Sequence, residues 1–137
     1  MKKVLALVIA LISIFSATAA FAADITVKVN DEAVEFDREP YVEDGKVMIP
    51  YRFVAEKLGA MIAWDSDTKT VFTAYEDAVS TMQIGNAKIF GNDATLEVET
   101  APSITIDRTF VTEEVLEFAL GVEVLFDEAT STVTVTK

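Results

Sequence analysis

The sequence predicts an α+β protein built from two tandem ββαββ-like units, each a mostly antiparallel sheet packed around one short helix. Three observations carry that expectation. Displaced by 62 residues, the chain matches itself without a gap from Asn30 to Tyr75. Within each copy, apolar residues alternate with polar ones at period two, as half-buried strands do. Once per copy the period lengthens to that of an amphipathic helix and stops at a glycine.

The self-match rests on turn residues as much as on apolar ones. Asn30-Asp31 falls on Asn92-Asp93, Pro40 on Pro102, Leu58-Gly59 on Leu120-Gly121, and Asp65 on Asp127. Thr68 falls on Thr130 and Thr70-Val71 on Thr132-Val133. Conservative pairs fill the intervals: Val42 with Ile104, Lys46 with Arg108, Ile49 with Val111, Ile62 with Val124, Trp64 with Phe126. Matched turns in one register indicate two copies of a single supersecondary unit. The expected division is a leader over residues 1–22, a first unit over 23–77 and a second over 78–137. No linker rich in Pro, Gly or Ser separates them, so the units are expected to pack directly on each other.

Each element follows from its residues. Ile25, Val27 and Val29 alternate as one strand face, Asn30-Asp31 turns the chain, and Val34 and Phe36 resume the alternation. Pro40 interrupts, Tyr41-Val42 restarts, and Asp44-Gly45 is a tight-turn dipeptide that folds Val47–Ile49 back as a hairpin. Pro50 suits the start of a helix, where its missing N–H would be unpaired anyway. Tyr51, Val54, Ala55 and Leu58 then form one helical face, and Gly59 stands where a left-handed cap belongs. Met61–Trp64 and Lys69–Ala74 complete the unit as strands about the Asp65-Ser66-Asp67 turn. In the second copy Thr112 replaces the proline and is expected to cap the helix through its hydroxyl. Glu113 and Glu114 favour the helix dipole, Val115, Leu116, Ala119 and Leu120 form the stripe, and Gly121 closes it. Val122, Val124 and Phe126 mark one strand face, and Val133 and Val135 the last strand. Thr81–Ile84 and Ala87–Phe90 read as a further strand pair about Gly85-Asn86.

Composition bounds the function. Lys2 and Lys3, the apolar run from Val4 to Phe15 broken only by Ser13, and Ala20-Phe21-Ala22 form a secretory leader with its cleavage site. The competing reading is an uncleaved membrane anchor, since the run counted through Ala22 approaches the lower limit of a span. The expected location is therefore extracellular or cell-wall associated, with no membrane contact after cleavage. Of 11 basic residues, loss of Lys2 and Lys3 leaves nine against 23 acids, a net of −14. That balance repels nucleic-acid phosphates, and no nucleic-acid partner is expected. The chain has no cysteine and no histidine. Disulfides are excluded, and the commonest general base and transition-metal ligand are missing.

The segment "IPYRFVAEKLGAMIAWDSDTKTV" and the preceding "VNDEAVEFDREPYVEDGKVMIP" resemble the copper amine oxidase N-terminal-like domain, also called a stalk domain. The matching parts are Gly45 to Arg52, Ala55 to Asp65 and Thr68 to Val71. The second copy, "RTFVTEEVLEFALGVEVLFDEATSTVTV", is looser and lacks the Pro and Arg. The resemblance implies a sheet wrapped around a helix, on exported proteins of Gram-positive bacteria, often in tandem. The copper of that name belongs to a separate catalytic domain. The expected function is thus a secreted, non-catalytic cell-envelope stalk or binding module whose partner is cell-wall polymer or another envelope protein. The alternative is a small cell-wall hydrolase or a hydrolase regulator.

No catalytic residue and no cofactor are expected. Ser80 and Ser103 lack a histidine to activate them, and no acid among the 23 stands out as half of a carboxylate pair. Asp65 and Asp67 are candidate calcium ligands, because oxygen side chains alternate through their turn. That turn lacks the remaining ligands and the distant bidentate glutamate of a full calcium loop. Arg52 is expected to pair with Glu56 one turn on. Trp64 and Tyr41 offer rings for a sugar, although the alignment of Trp64 with Phe126 points to core packing. Met48 and Met61 are read as core residues. Copper(II) prefers imidazole or sulfur donors, so no copper requirement is expected.

Overall fold

The structure is a computed structural model that describes residues 24–137. The leader reading at residues 1–22 lies outside the described residues. Among the described residues, thirteen short strands and two helices follow one another. In order they are β1 (Thr26–Val29), β2 (Glu32–Ala33), β3 (Tyr41–Glu43), β4 (Lys46–Pro50), α1 (Tyr51–Leu58), β5 (Met61–Asp65) and β6 (Thr70–Tyr75). Then come β7 (Ala78–Gln83), β8 (Lys88–Phe90), β9 (Thr95–Glu97), β10 (Ser103–Thr105), β11 (Arg108–Val111), α2 (Glu113–Leu120), β12 (Glu123–Asp127) and β13 (Thr132–Thr136). Mostly sheet with two short helices, the fold is of the α+β kind. The 62-residue displacement carries β3 onto β10, α1 onto α2 and β5 onto β12 residue for residue.

The strands combine across the two halves of the sequence. One sheet has the order β12-β13-β1-β2, a second β10-β11-β4-β3, and a third β5-β6-β7-β8-β9. Every sheet thus draws on both the 23–77 and the 78–137 segments. The first strand runs parallel to the last, Thr26 opposite Thr132 through Val29 opposite Val135. β6 and β7 form a hairpin across the expected boundary at 77/78. Each half of the sequence thus gives its opening hairpin to a sheet ended by the other. Local residue patterns are identical for exchanged and unexchanged pairing, which is why the sequence predicted separate ββαββ units.

The exchange has a local two-fold relation. β4 and β11 pair antiparallel with Ile49 opposite Val111 and Pro50 opposite Phe110. Displacement by 62 maps Ile49 onto Val111, so this pair maps onto itself with the strands swapped. In the same way β12-β13-β1-β2 corresponds to β5-β6-β8-β9, with β7 inserted between β6 and β8 in the second case.

The core is one cluster. Val27, Val29, Ile49, Val54, Val111, Val115, Leu116, Val133 and Val135 are all at most 2 % exposed. Helix α1 lies against β1, β5 and β11, and α2 against β4, β6, β7, β8 and β12. Met48 is buried, as expected, whereas Met61 is 76 % exposed. Met61 faces out, on the face of β5 opposite the half-buried Ile62. The outer face of the five-stranded sheet also carries exposed Phe72, Val79 and Phe90.

Both helices end at their glycines in the left-handed conformation, Gly59 at φ 96° and Gly121 at φ 65°. At the end of α1 the Ala60 N–H donates to Ala55 O at 2.9 Å and the Gly59 N–H to Glu56 O at 3.0 Å, closing the last carbonyls. A Cβ on Gly59 would meet nothing within 4 Å, so the cost of a side chain there is backbone strain alone. Gly59→Val should therefore lower stability by about 1–2 kcal/mol, read as the urea midpoint. An unchanged midpoint would mean that the left-handed cap contributes nothing. The start of α2 differs from expectation: Thr112 occupies the cap position, but its hydroxyl makes no cap bond and is buried without a partner.

Candidate functional site

The two-fold relation generates two clefts, each between the N-terminal turn of one helix and the hairpin turn of the other half. The larger, about 480 Å³, is bounded by Tyr51, Arg52 and Phe53 of α1, Ile62 and Trp64 of β5, and Ile104, Asp107 and Arg108 of the β10–β11 hairpin. The smaller, about 290 Å³, is bounded by Gly45, Lys46 and Val47 and by Glu113, Glu114 and Glu117 of α2. Shifted by 62, Lys46 corresponds to Arg108, and Glu113 and Glu114 to Tyr51 and Arg52. One cleft carries Arg52, Arg108 and aromatic rings beside one acid, Asp107, where its counterpart carries three glutamates beside Lys46.

In the basic cleft, Tyr51 is the floor. It is 1 % exposed, and its hydroxyl shares a 2.8 Å hydrogen bond with Thr73 Oγ1 on β6. Burial pushes its phenol up to about 12, so it is a fixed neutral wall at physiological pH. Arg108 donates from Nε to Asp37 Oδ1 at 3.1 Å and from Nη2 to Oδ2, a fork on one carboxylate. That bond holds the Asp37 carboxyl below its ordinary range. The Arg108 guanidinium also stands 5.8 Å from the centroid of Phe53, whose ring meets Phe36 edge-on at 5.7 Å. Arg52 is exposed, and the expected pair with Glu56 does not form: among the described residues Arg52 has no ion pair. Trp64 is 40 % exposed and lines this cleft, so the core reading drawn from its alignment with Phe126 is corrected. The half-buried Phe126 does pack against the core. Strand β5 is a sheet edge, which leaves the indole without a neighbouring strand on one side.

In the acidic cleft Glu113 is raised above the ordinary glutamate range, first by partial burial and then by Glu117, with Lys46 opposing. A raised carboxyl is protonated more readily when folded. It adds stability below the unfolded value of about 4.3, and that contribution is lost as pH rises through the folded value. Glu113→Gln should thus raise the thermal midpoint at pH 7 and lose that gain on acidification below the glutamate range. Equal shifts at both pH values would show that the charge is not the cause. Glu117 reaches the other way, accepting the Val124 N–H at 3.1 Å on the edge of β12.

The remaining candidates fall elsewhere. Tyr41 packs on Phe110 at 5.0 Å and lines neither cleft. Asp65 is committed to its own turn, with Oδ1 accepting the Asp67 N–H at 2.9 Å, and Asp67 is exposed. Ser80 is 2 % exposed with no hydrogen-bond partner for Oγ, out of reach of any substrate. Among the described residues no three acidic side chains gather as a metal site. Copper does not fit these residues, since the chain has neither imidazole nor thiol to offer. No described helix is long and apolar enough to cross a membrane.

Comparison with curated proteins finds no match. A family model, the copper amine oxidase N-terminal domain, matches residues 28–135 as one copy. The unit recognised by the family therefore spans both sequence halves, where the sequence reading expected one family domain per half. With most of its length in that match, the chain belongs to the copper amine oxidase N-terminal domain family.

Proposed function

We propose that this protein is a secreted, non-catalytic stalk or binding module of the Gram-positive cell envelope, and that the single family unit is itself a duplicated half-module. The observation that carries this reading is the family match over residues 28–135, to a domain that precedes a catalytic one rather than to the catalytic domain. Three features support it. The leader-like residues 1–22 suit export. The open cleft brings arginine and tryptophan together without a nucleophile–base pair. The element bounds recur at 62 residues. Cell-wall polymer or a neighbouring envelope protein is the proposed partner class, and Asp65 and Asp67 are assigned a turn role rather than calcium.

Sedimentation of the purified protein with isolated Gram-positive cell wall tests the proposal, with release of soluble wall fragments assayed in the same tubes. Co-sedimentation without fragment release is expected. Fragment release that tracks the protein through purification would instead favour a hydrolase, and absence from the pellet would remove the wall as partner.

A further inference from the structure

From the asymmetry of the two clefts we infer that the basic one takes an extended acidic peptide of another protein, added as a strand along the free edge of β5. The inference rests on the binding-module reading and names its partner class.

The repeat supplies an internal control. β5 pairs with β6 in the register in which β12 pairs with β13, each pair displaced by 62. On β12 the Val124 N–H turns away from β13 and is taken by the Glu117 carboxylate. Backbone groups in an antiparallel pair alternate between ladder and free edge. Ile62, at the position of Val124, therefore directs its N–H to the free edge of β5, and Trp64 two residues on does the same. The residue matching Glu117 is Ala55, which has no acceptor, and no side chain of the described residues bonds the Ile62 N–H. Exposed edges are ordinarily blunted by charge or cover. β12 has both, through Glu123 and Glu117. β5, reading MIAWD, has no charge before its last residue.

The charges select the occupant. The chain is strongly acidic, yet Arg52 stands unpaired at the rim where the counterpart cleft has Glu114. Long-range repulsion of an anionic segment is screened beyond about 8 Å at physiological salt; within the cleft Arg108 is matched by Asp37 and Asp107 also lines the wall, so the attraction rests on Arg52. An added strand presents alternate side chains to one face. The side chains turned towards the cleft would meet Ile62, Trp64, Ile104 and Arg52 together, so the occupant needs apolar and acidic residues two apart on that one face. Main-chain bonds to the edge supply affinity, and the arginine supplies sign.

Trp64 is the single tryptophan of the chain, so its fluorescence reports this cleft alone. The probe is the blocked heptapeptide Thr-Val-Thr-Glu-Thr-Val-Thr, which sets glutamate between two valines on one face, titrated into the protein. A saturable change is expected. It should weaken at least about tenfold when lysine replaces glutamate, when alternate peptide nitrogens are methylated, and in Arg52→Glu. That variant places an acid in the first turn of α1, which suits the helix, and an unchanged urea midpoint verifies its fold. Three results overturn the inference: no response at millimolar peptide, an undiminished response to the methylated peptide, or an equal response to trigalacturonate, which would make the cleft a site for acidic sugars. The titration uses soluble components only, so it fails independently of cell-wall sedimentation.

Discussion

Residues 24–77 and residues 78–137, produced separately, are expected to show no cooperative unfolding, while residues 24–137 unfold in one transition. The reason is the pairing across halves. Alone, the first segment keeps β1 but loses β13, its parallel partner over four residues. The second segment likewise keeps β13 with one side open and loses β4 from beside β11. Separation strips cover from Val27 and Val29 in one piece and from Val133 and Val135 in the other, all of them at most 2 % exposed. At about 1.5 kcal/mol for each buried valine, these four alone represent about 6 kcal/mol. That is comparable with the whole stability of a small domain, about 5–15 kcal/mol. The lost β4–β11 and β6–β7 pairings add to it. Urea titration followed by circular dichroism, with amide dispersion in a proton–nitrogen spectrum, decides the matter. A sigmoidal transition in either segment alone would mean that the halves are independent units despite their shared sheets.

Much of the local structure was legible in the sequence, and the reasons are local. The bounds of α1 and α2 follow from apolar spacing and from glycines whose left-handed φ other residues resist. The strand pair about Gly85-Asn86 was legible from alternation, and Thr81 pairs with Phe90 as it requires. Pairing partners were not legible, because β1 and β8 occupy matching places in the repeat and no residue pattern states which copy each will join. Met61 and Trp64 were misplaced for a related reason: β5 is an edge, and edge position is a property of the sheet rather than of the strand. Thr112 has the right residue type for a cap, yet its hydroxyl is buried and unbonded. The candidate site did leave a signal. The same 62-residue alignment that revealed the repeat sets Arg52 against Glu114 and Ala55 against Glu117. Between copies of otherwise similar sequence, those reversals mark the two clefts. What they could not convey was that Arg52 and Arg108, 56 positions apart, face one opening.

The largest loss from a single substitution is expected for Leu116→Ala. Leu116 is 0 % exposed in the middle of α2, a helix that touches β4, β6, β7, β8 and β12, strands of all three sheets and both sequence halves. Truncation removes three buried carbons, worth about 0.8 kcal/mol each on transfer, and leaves a cavity that surrounding strands cannot all close. A cost of about 3 kcal/mol follows, within the range for buried leucines. For a domain of this size that lowers the thermal midpoint by about 10 °C. Helix propensity works the other way but by only a few tenths of a kcal/mol, since alanine and leucine both favour helix. The two-fold counterpart Val54, also 0 % exposed, loses two carbons in Val54→Ala and should cost about 2 kcal/mol. Met61→Ala, at a site 76 % exposed, should stay within about 0.5 kcal/mol of the parent. Urea midpoints for the three variants should therefore fall in the order Met61→Ala, Val54→Ala, Leu116→Ala, from highest to lowest. If Met61→Ala proved the most damaging, β5 would be covered rather than free, and both the core assignment and the open edge beside Trp64 would be lost together.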